Sequence, residues 1–310
     1  MPWIRLFAGV LLLAGCAGMP TANYQTDKGL PRQVELEVPF YPQEAYQCGP
    51  AALAMTFAYD GLAVRPSELA REVYLPGKEG TLQVEMLAAA RRAGLVPYVL
   101  DGNPDAMMKE LAAGHPVVVL QNLGFGFLPA WHYAVVTGYN LPKKEVFLHS
   151  GTKRRLVIKL DDFDYSWSKS GRWAFVALPP QQLPASATER DFVESVVELE
   201  SVSPDSAEIA YQTALAKWPE DLIARIGSGN AAYALHDYVG AESEYRRATV
   251  DHPDSGDAWN NLAQVLHDLG RNRDALDAAR RAVSLGGVRR ADYEATLKAI
   301  IDDTSSKSVN

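Results

Sequence analysis

One stretch constrains this chain more than any other: a cysteine followed directly by glycine, proline and a run of good helix formers. Within residues 38–55, VPFYPQEAYQCGPAALAM, Cys48 immediately precedes Gly49 and Pro50. Proline fits the first turn of a helix, and the alanines, leucine and methionine that follow propagate it. The sequence therefore predicts a helix over residues 49–60 with Cys48 at its amino end. Unpaired N–H groups and the helix dipole there are expected to lower the pKa of the thiol.

A nucleophilic thiol needs a general base and a donor for the developing oxyanion. Of the six histidines, His132 is best placed, because it opens residues 131–139, WHYAVVTGY, directly after a glycine-rich loop. The β-branched and aromatic content of this segment predicts a buried strand. Gln43, five residues before Cys48, carries an amide that can donate to an oxyanion. The alternative interpretation is an inert helical cysteine and a core histidine that is satisfied by a backbone carbonyl.

These motifs, Gln43-x4-Cys48-Gly-Pro and His132-Tyr-Ala-Val-Val-Thr-Gly, resemble the papain-like peptidases that process bacteriocin leader peptides at a double glycine. The resemblance covers roughly residues 35–180. It implies an α+β papain-like fold with Cys48 as nucleophile, His132 as base and Gln43 as oxyanion donor. Two features depart from the family: its glutamine usually lies one residue further from the cysteine, and its third residue, an aspartate on the next strand, is not evident. His149 or Ser150 stands at the matching place.

The amino terminus has the pattern of an export signal. Residues 1–15 combine Arg5 with an apolar run that is too short to span a membrane as a mature helix, and Leu-Ala-Gly-Cys16 follows. This resembles a bacterial lipoprotein signal, which implies cleavage before Cys16 and lipidation of that cysteine. Ala17 after it implies sorting to the outer membrane, facing the periplasm of the cell envelope. A plain secretory signal is the alternative. Residues 16–35 are polar and predict a tether.

Residues 36–180 alternate between helix and strand signals, with helices concentrated early and strands late, which favours an α+β domain with a mostly antiparallel sheet. Helices are predicted over 67–73, over 82–93 with Thr81 as the cap, and over 104–112. Strands are predicted over residues 96–100, 117–120, 131–139, 146–148, 156–158 and 173–178. Proline clusters make residues 181–187 a stiff linker.

A 34-residue period begins after the linker. Ala207, Tyr211, Ala214 and Pro219 recur at Ala241, Tyr245, Ala248 and Pro253. This pattern resembles the tetratricopeptide repeat, in which small residues let paired helices approach closely. The resemblance predicts an all-α tetratricopeptide-like repeat domain over 188–302, able to bind a protein partner, and a disordered tail over 303–310.

A net charge of −8 argues against nucleic acid as a partner. No metal-ligand spacing or phosphate loop occurs in the sequence, so we expect neither a metal nor a cofactor. The sequence thus predicts a lipid-anchored cysteine peptidase that acts on a peptide or protein substrate. The alternative is a catalytically weak or inactive peptidase-like scaffold that recruits a partner through its repeats.

Overall fold

The structure, a computed structural model, describes residues 29–43, 47–78 and 80–307. The predicted signal peptide, Cys16 and most of the predicted tether lie outside these residues. Within the described part of the chain, no helix has the length and apolar character needed to cross a membrane.

The amino-terminal domain places one antiparallel sheet between helices. Its elements, in chain order, are β1 (Gln33–Glu35), α1 (Cys48–Tyr59), α2 (Pro66–Val73), α3 (Gln83–Arg92), β2 (Val96–Val99), α4 (Pro104–Ala112), β3 (Val117–Asn122), β4 (Trp131–Asn140), β5 (Glu145–Ser150), β6 (Lys153–Lys159), α5 (Leu160–Ser168) and β7 (Ala174–Leu178). The strand order is β2-β7-β3-β4-β5-β6, and β1 pairs with the far end of β4.

Both faces of the sheet are buried, because alternate residues of its central strands enter two different cores. Val118, Val135 and Phe175 pack against α1 and α3 on one face. Val119 and Val136 pack on the other face, with side chains of α4, α5 and the first repeat helices. The strands therefore have the near-continuous apolar composition of fully buried strands. The sheet joins the cysteine helix to the repeat domain.

The local predictions needed two corrections in this domain. Helix α5 and strand β1 were not predicted, although α5 carries two acidic residues in its first turn and buries Phe163 and Trp167 four residues apart. Thr81 does not cap α3: Leu82 is the N-cap residue, and the Thr81 hydroxyl is buried without a hydrogen-bond partner. The Thr81 side chain lies beside Gly49 instead, so packing determines its orientation.

The repeat domain consists of paired helices, as its period predicts. They are α6 (Glu189–Val197), α7 (Pro204–Lys217), α8 (Leu222–Ala234), α9 (Tyr238–Asp251), α10 (Gly256–Asp268), α11 (Asn272–Leu285) and α12 (Arg290–Lys307). The periodic tyrosines explain the close helix approach. A Cβ at Gly227 would lie 2.3 Å from the Tyr211 ring, and one at Gly229 would lie 2.4 Å from the Tyr245 ring, so both rings require glycine on α8.

The last helix, α12, continues to Lys307, beyond the predicted boundary at residue 302. A contact of 3.3 Å between His267 Nε2 and the Asp303 carboxylate attaches this end to α10. The Thr304 hydroxyl bonds back to the Ile300 carbonyl at 2.8 Å. The predicted disordered tail is therefore helical over its first five residues.

The segment predicted as a linker is packed against both domains. Glu110 of α4 is fully buried and accepts hydrogen bonds from the backbone N–H groups of Ala185, at 3.1 Å, and Ser186, at 2.7 Å. On the repeat side, the Thr213 hydroxyl donates to the Pro180 carbonyl at 2.8 Å. Residues of both domains also share one hydrophobic core. The linker is stiff because tertiary contacts hold it.

Candidate active site

Cys48 is the first residue of α1, a helix whose next nine residues are buried. Gly49 allows the first turn to approach the loop before α3, since a Cβ there would lie 2.8 Å from the Thr81 side chain. The local sequence thus fixes the thiol at the end of a rigid, buried helix. Cys48 is the free cysteine of the described residues.

A cleft of about 720 Å³ contains the three predicted site residues, Cys48, His132 and Gln43. It is also lined by side chains of the loop before α3, of β3 and β4, and of the turn after α5: Lys78, Thr81, Leu82, Gln83, Leu120, Trp131, Tyr133, Lys169 and Ser170. The structure therefore brings together residues that are separated by up to 89 positions, from Gln43 to His132.

His132 lies at the start of β4, and its partner is on β5. The Nε2 atom of His132 is 2.9 Å from the Ser150 hydroxyl oxygen. This contact occupies one ring nitrogen and leaves Nδ1 as the nitrogen that can serve the thiol. Ser150 thus offers the imidazole a neutral hydroxyl and no charge.

His149 does not take part in this contact. Because successive side chains of a strand point to opposite faces, His149 faces away from Ser150. Its Nε2 donates to the Val38 carbonyl at 2.9 Å, and its ring meets the Phe40 ring edge-on at 5.3 Å. The proposal of His149 as a third site residue is therefore wrong, and the histidine is a satisfied core residue.

The electrostatics of the pair differ from the sequence expectation. Burial raises the pKa of the Cys48 thiol, and backbone hydrogen bonds from Tyr133, Gly49 and Cys48 itself offset this only in part. Burial likewise lowers the pKa of His132. Both shifts favour a neutral thiol and a neutral imidazole at neutral pH. Within the described residues, the ring hydrogen-bonds to Ser150, and no hydrogen bond joins it to the thiol.

Gln43 is held beside the start of β4. Its backbone N–H donates to the Gly151 carbonyl at 3.1 Å, and its side-chain Nε2 donates to the Tyr133 carbonyl at 3.5 Å. Since 3.5 Å is long for an amide hydrogen bond, a substrate oxygen can compete for this donor. The Tyr133 backbone also reaches the Cys48 sulfur, so the amide and the thiol meet the same residue.

Sequence reasoning missed two cations of the cleft, Lys78 and Lys169. Lys169 follows α5, its ammonium donates to the Gly124 carbonyl at 2.9 Å, and it lies 4.2 Å from the centre of the Tyr165 ring. No local motif marks these lysines, because their position depends on the unpredicted helix α5 and on the loop before α3. No group of three or more His, Cys, Asp or Glu residues that could hold a metal occurs among the described residues.

Residues 35–174 match the model of the Peptidase C39-like family, and residues 197–250 and 227–295 match that of the tetratricopeptide repeat. No curated protein sequence matches the chain significantly. The fold class predicted from the sequence is confirmed: an α+β domain that resembles C39 peptidases precedes tetratricopeptide-like helices.

Several solved structures are similar to one domain or the other. A double-glycine-motif protease from an AMS/PCAT transporter, in complex with the leader peptide, is 23% identical over 46% of this chain and 93% of that chain, with a TM-score of 0.38. A putative C39-like peptidase from Bacillus anthracis is 19% identical over 47% and 97%, with a TM-score of 0.40. The first TPR domain of human RPAP3 is 16% identical over 39% and 96%, with a TM-score of 0.36.

Proposed function

Because residues 35–174 carry a domain of the C39-like peptidase family and residues 197–295 carry tetratricopeptide repeats, we propose that this protein is a cysteine peptidase of the bacterial cell envelope. The single observation that carries the proposal is the shared cleft of Cys48, His132 and Gln43. Acyl transfer to a thiol requires a nucleophile, a base and an oxyanion donor. Cys48 at the amino end of α1, His132 at the start of β4 and Gln43 in the segment before α1 supply these three side-chain types.

The proposed reaction starts from the neutral pair. His132 accepts the thiol proton as the Cys48 sulfur forms a bond to the carbonyl carbon of the scissile peptide. The Gln43 amide and the Cys48 backbone N–H donate to the resulting oxyanion. The imidazolium then gives its proton to the leaving amine as the C–N bond breaks. Water, deprotonated by His132, hydrolyses the thioester and frees the thiol. Ser150 acts as a positioning residue, because it touches the His132 ring and not the substrate.

Steady-state turnover tests the proposal. The full mature chain is incubated with a mixture of internally quenched peptides, and cleavage is measured beside the variants Cys48→Ala, His132→Ala and Gln43→Ala. We expect no cleavage by Cys48→Ala. For Gln43→Ala we expect a kcat at least about 100-fold below that of the wild type, as for the loss of one oxyanion donor. Undiminished cleavage by Cys48→Ala contradicts the proposal.

The proposal includes a lipid anchor on Cys16 in the outer membrane, with the domains facing the periplasm. Twelve residues separate Cys16 from Gly29, the first described residue. Extended, they reach at most about 45 Å, which keeps the peptidase domain near the membrane. Metabolic labelling with an alkyne fatty acid tests the anchor. The label is expected on the wild-type chain and absent from Cys16→Ser, and equal labelling of both contradicts it.

A second candidate function is a binding scaffold with little or no turnover, which recruits a protein partner through its repeats. Two observations favour it: a hydroxyl, not a carboxylate, contacts His132, and no hydrogen bond joins the described His132 ring to the Cys48 thiol. The turnover assay separates the two functions, because a scaffold leaves every peptide uncleaved in the wild-type chain while it still retains the partner.

A further inference from the structure

The loop between β3 and β4 presents an unusual concentration of exposed apolar side chains. We call residues 123–131 the apolar finger. Its exposed side chains, with the exposed fraction of each, are Leu123 (58%), Phe125 (68%), Phe127 (88%), Leu128 (67%) and Trp131 (53%). The rings of Phe125 and Phe127 stack with centroids 5.7 Å apart. A contiguous patch of exposed apolar side chains on a protein surface usually marks a site of interaction.

The backbone of the finger is ordered by its own hydrogen bonds. Phe125 and Leu128 exchange two backbone bonds of 3.1 Å each. The Asn122 side-chain oxygen accepts from the N–H groups of Gly124 and Ala130, both at 2.9 Å, and Lys169 holds the Gly124 carbonyl. The finger therefore presents a fixed surface of side chains and is not a strand edge that awaits a partner.

The finger is continuous with the catalytic cleft. Its last residue, Trp131, lines the cleft and directly precedes His132. The pair Phe125 and Leu128 lies three residues beyond the last strand pair, Asn122 and Trp131, which is about 10 Å at the rise of a strand. An extended peptide in the cleft covers that distance with about three residues.

The loop before α3 also contributes an apolar side chain to the cleft, and the cleft carries positive charge. Leu82 is 43% exposed and lines the cleft from the loop before α3. Lys78 and Lys169 also line it, and no aspartate or glutamate is among its described lining residues. In a chain with a net charge of −8, this local balance favours an anionic ligand.

We propose that the apolar finger determines substrate specificity: it binds bulky apolar side chains of a peptide that lies in the adjoining cleft and that also carries acidic residues. This inference rests on the proposed function in that it calls the bound peptide a substrate. The binding itself does not require turnover. A peptide fits better than a membrane surface, because Trp131 and Leu82 line the walls of a cleft.

The test uses the full mature chain with Cys48→Ala, so that binding is measured without cleavage. Fluorescein-labelled peptides are compared by anisotropy: one rich in Leu, Phe and Asp, one with Ser in place of Leu and Phe, and one with Lys in place of Asp. We expect the first peptide to bind at least about tenfold more tightly than either of the others. The Ser peptide lacks the one or two apolar side chains that would be buried, and the Lys peptide lacks the charge complementarity.

Adding Phe125→Ala and Phe127→Ala should remove most of the preference for Leu and Phe. The milder Phe127→Ser, at a residue 88% exposed, provides a second variant with little risk to the fold. Val239→Ala is the matched control, an apolar residue 70% exposed on α9 in the repeat domain, and it should leave the preference unchanged.

Two results overturn the inference. One is an unchanged preference for Leu and Phe in folded finger variants, with the fold checked by circular dichroism. The other is a finger variant that binds the peptides as before but no longer sediments with phosphatidylethanolamine–phosphatidylglycerol vesicles. That result would assign the finger to the membrane. Failure of the proposed function looks different, because the peptides then bind with the stated preference and the wild-type chain cleaves none of them.

Discussion

Two buried polar clusters of the amino-terminal domain are built in opposite ways. At the domain junction, Glu110 accepts from two backbone N–H groups, from the Ser186 hydroxyl and from His115 Nδ1 at 2.7 Å. In the cleft, the ring of His132 has one neutral partner, the Ser150 hydroxyl. A full charge with four donors fixes the junction, whereas a single hydroxyl orients the His132 imidazole.

The pKa values follow this difference. Burial favours the neutral acid of Glu110, but the hydrogen bonds from His115 and Ser186 outweigh it and hold the pKa of Glu110 below its ordinary value. Burial acts on His132 with nothing to oppose it, so the pKa of the ring falls. Burial alone therefore does not determine the charge of a group. The number of hydrogen-bond donors or acceptors that contact the group determines it.

The largest expected effect is at the junction. Glu110→Ala leaves three donors and His115 facing a buried cavity, so it should lower the free energy of unfolding by about 3–5 kcal/mol. Urea denaturation at pH 7 measures it. Glu194→Ala, which removes an exposed pair with Arg190, is the control, and its expected change is below about 0.5 kcal/mol. Equal changes in the two variants would show that the junction cluster does not stabilise the fold.

A smaller effect is expected at Ser150. Ser150→Ala removes the orienting hydroxyl and should lower kcat by about tenfold, with KM nearly unchanged, since Ser150 is not among the residues that line the cleft. Ser150→Asp adds a negative charge beside the ring, so the pKa of His132 should rise. NMR titration of the imidazole measures the shift. An unchanged titration in folded Ser150→Asp would mean that residue 150 does not face the ring in solution.

The smallest effect is expected at Asp60, a carboxylate at the end of α1 with one buried oxygen that has no hydrogen-bond partner in the described structure. Burial raises its pKa to about 6. The folded-state pKa exceeds the unfolded value, so the stability it contributes is present at low pH and is lost as pH rises through about 6. Asp60→Asn should therefore stabilise the protein at pH 7, by at most about 1 kcal/mol after solvent screening.

The gain from Asp60→Asn should shrink toward zero at pH 4, because the folded-state carboxyl is then protonated and the unfolded one, with its ordinary pKa of 3.8, is partly protonated. Thermal unfolding at pH 4 and pH 7 checks this sign. A variant that is less stable than the wild type at pH 7 would show that the Asp60 charge has a favourable partner.

Local chemistry allowed part of the site to be predicted. The Cys48 helix, the His132 strand and the 34-residue period each depend on nearest-neighbour preferences, and the structure has all three. The sequence does not decide between Ser150 and His149, because that choice requires the orientation of β5. The predicted lowering of the Cys48 pKa is wrong, since burial raises it. Burial comes from tertiary packing and outweighs the effect of the helix terminus that the sequence shows. The Glu110 cluster joins residues 75 and 76 positions apart, and no local pattern marks such a contact.

The central claim is that His132 activates Cys48 from a neutral resting pair. A peptidyl vinyl sulfone tests it directly, because the Cys48 sulfur adds to its terminal vinyl carbon and a proton goes to the neighbouring carbon. Intact mass spectrometry of the full chain should show one adduct on Cys48. Its rate of formation should rise from pH 6 to pH 8, as the raised pKa of the thiol requires, and it should fall by about 100-fold or more in His132→Ala, as expected for loss of a general base. A rate that is the same in His132→Ala, or already maximal at pH 6, would contradict the account.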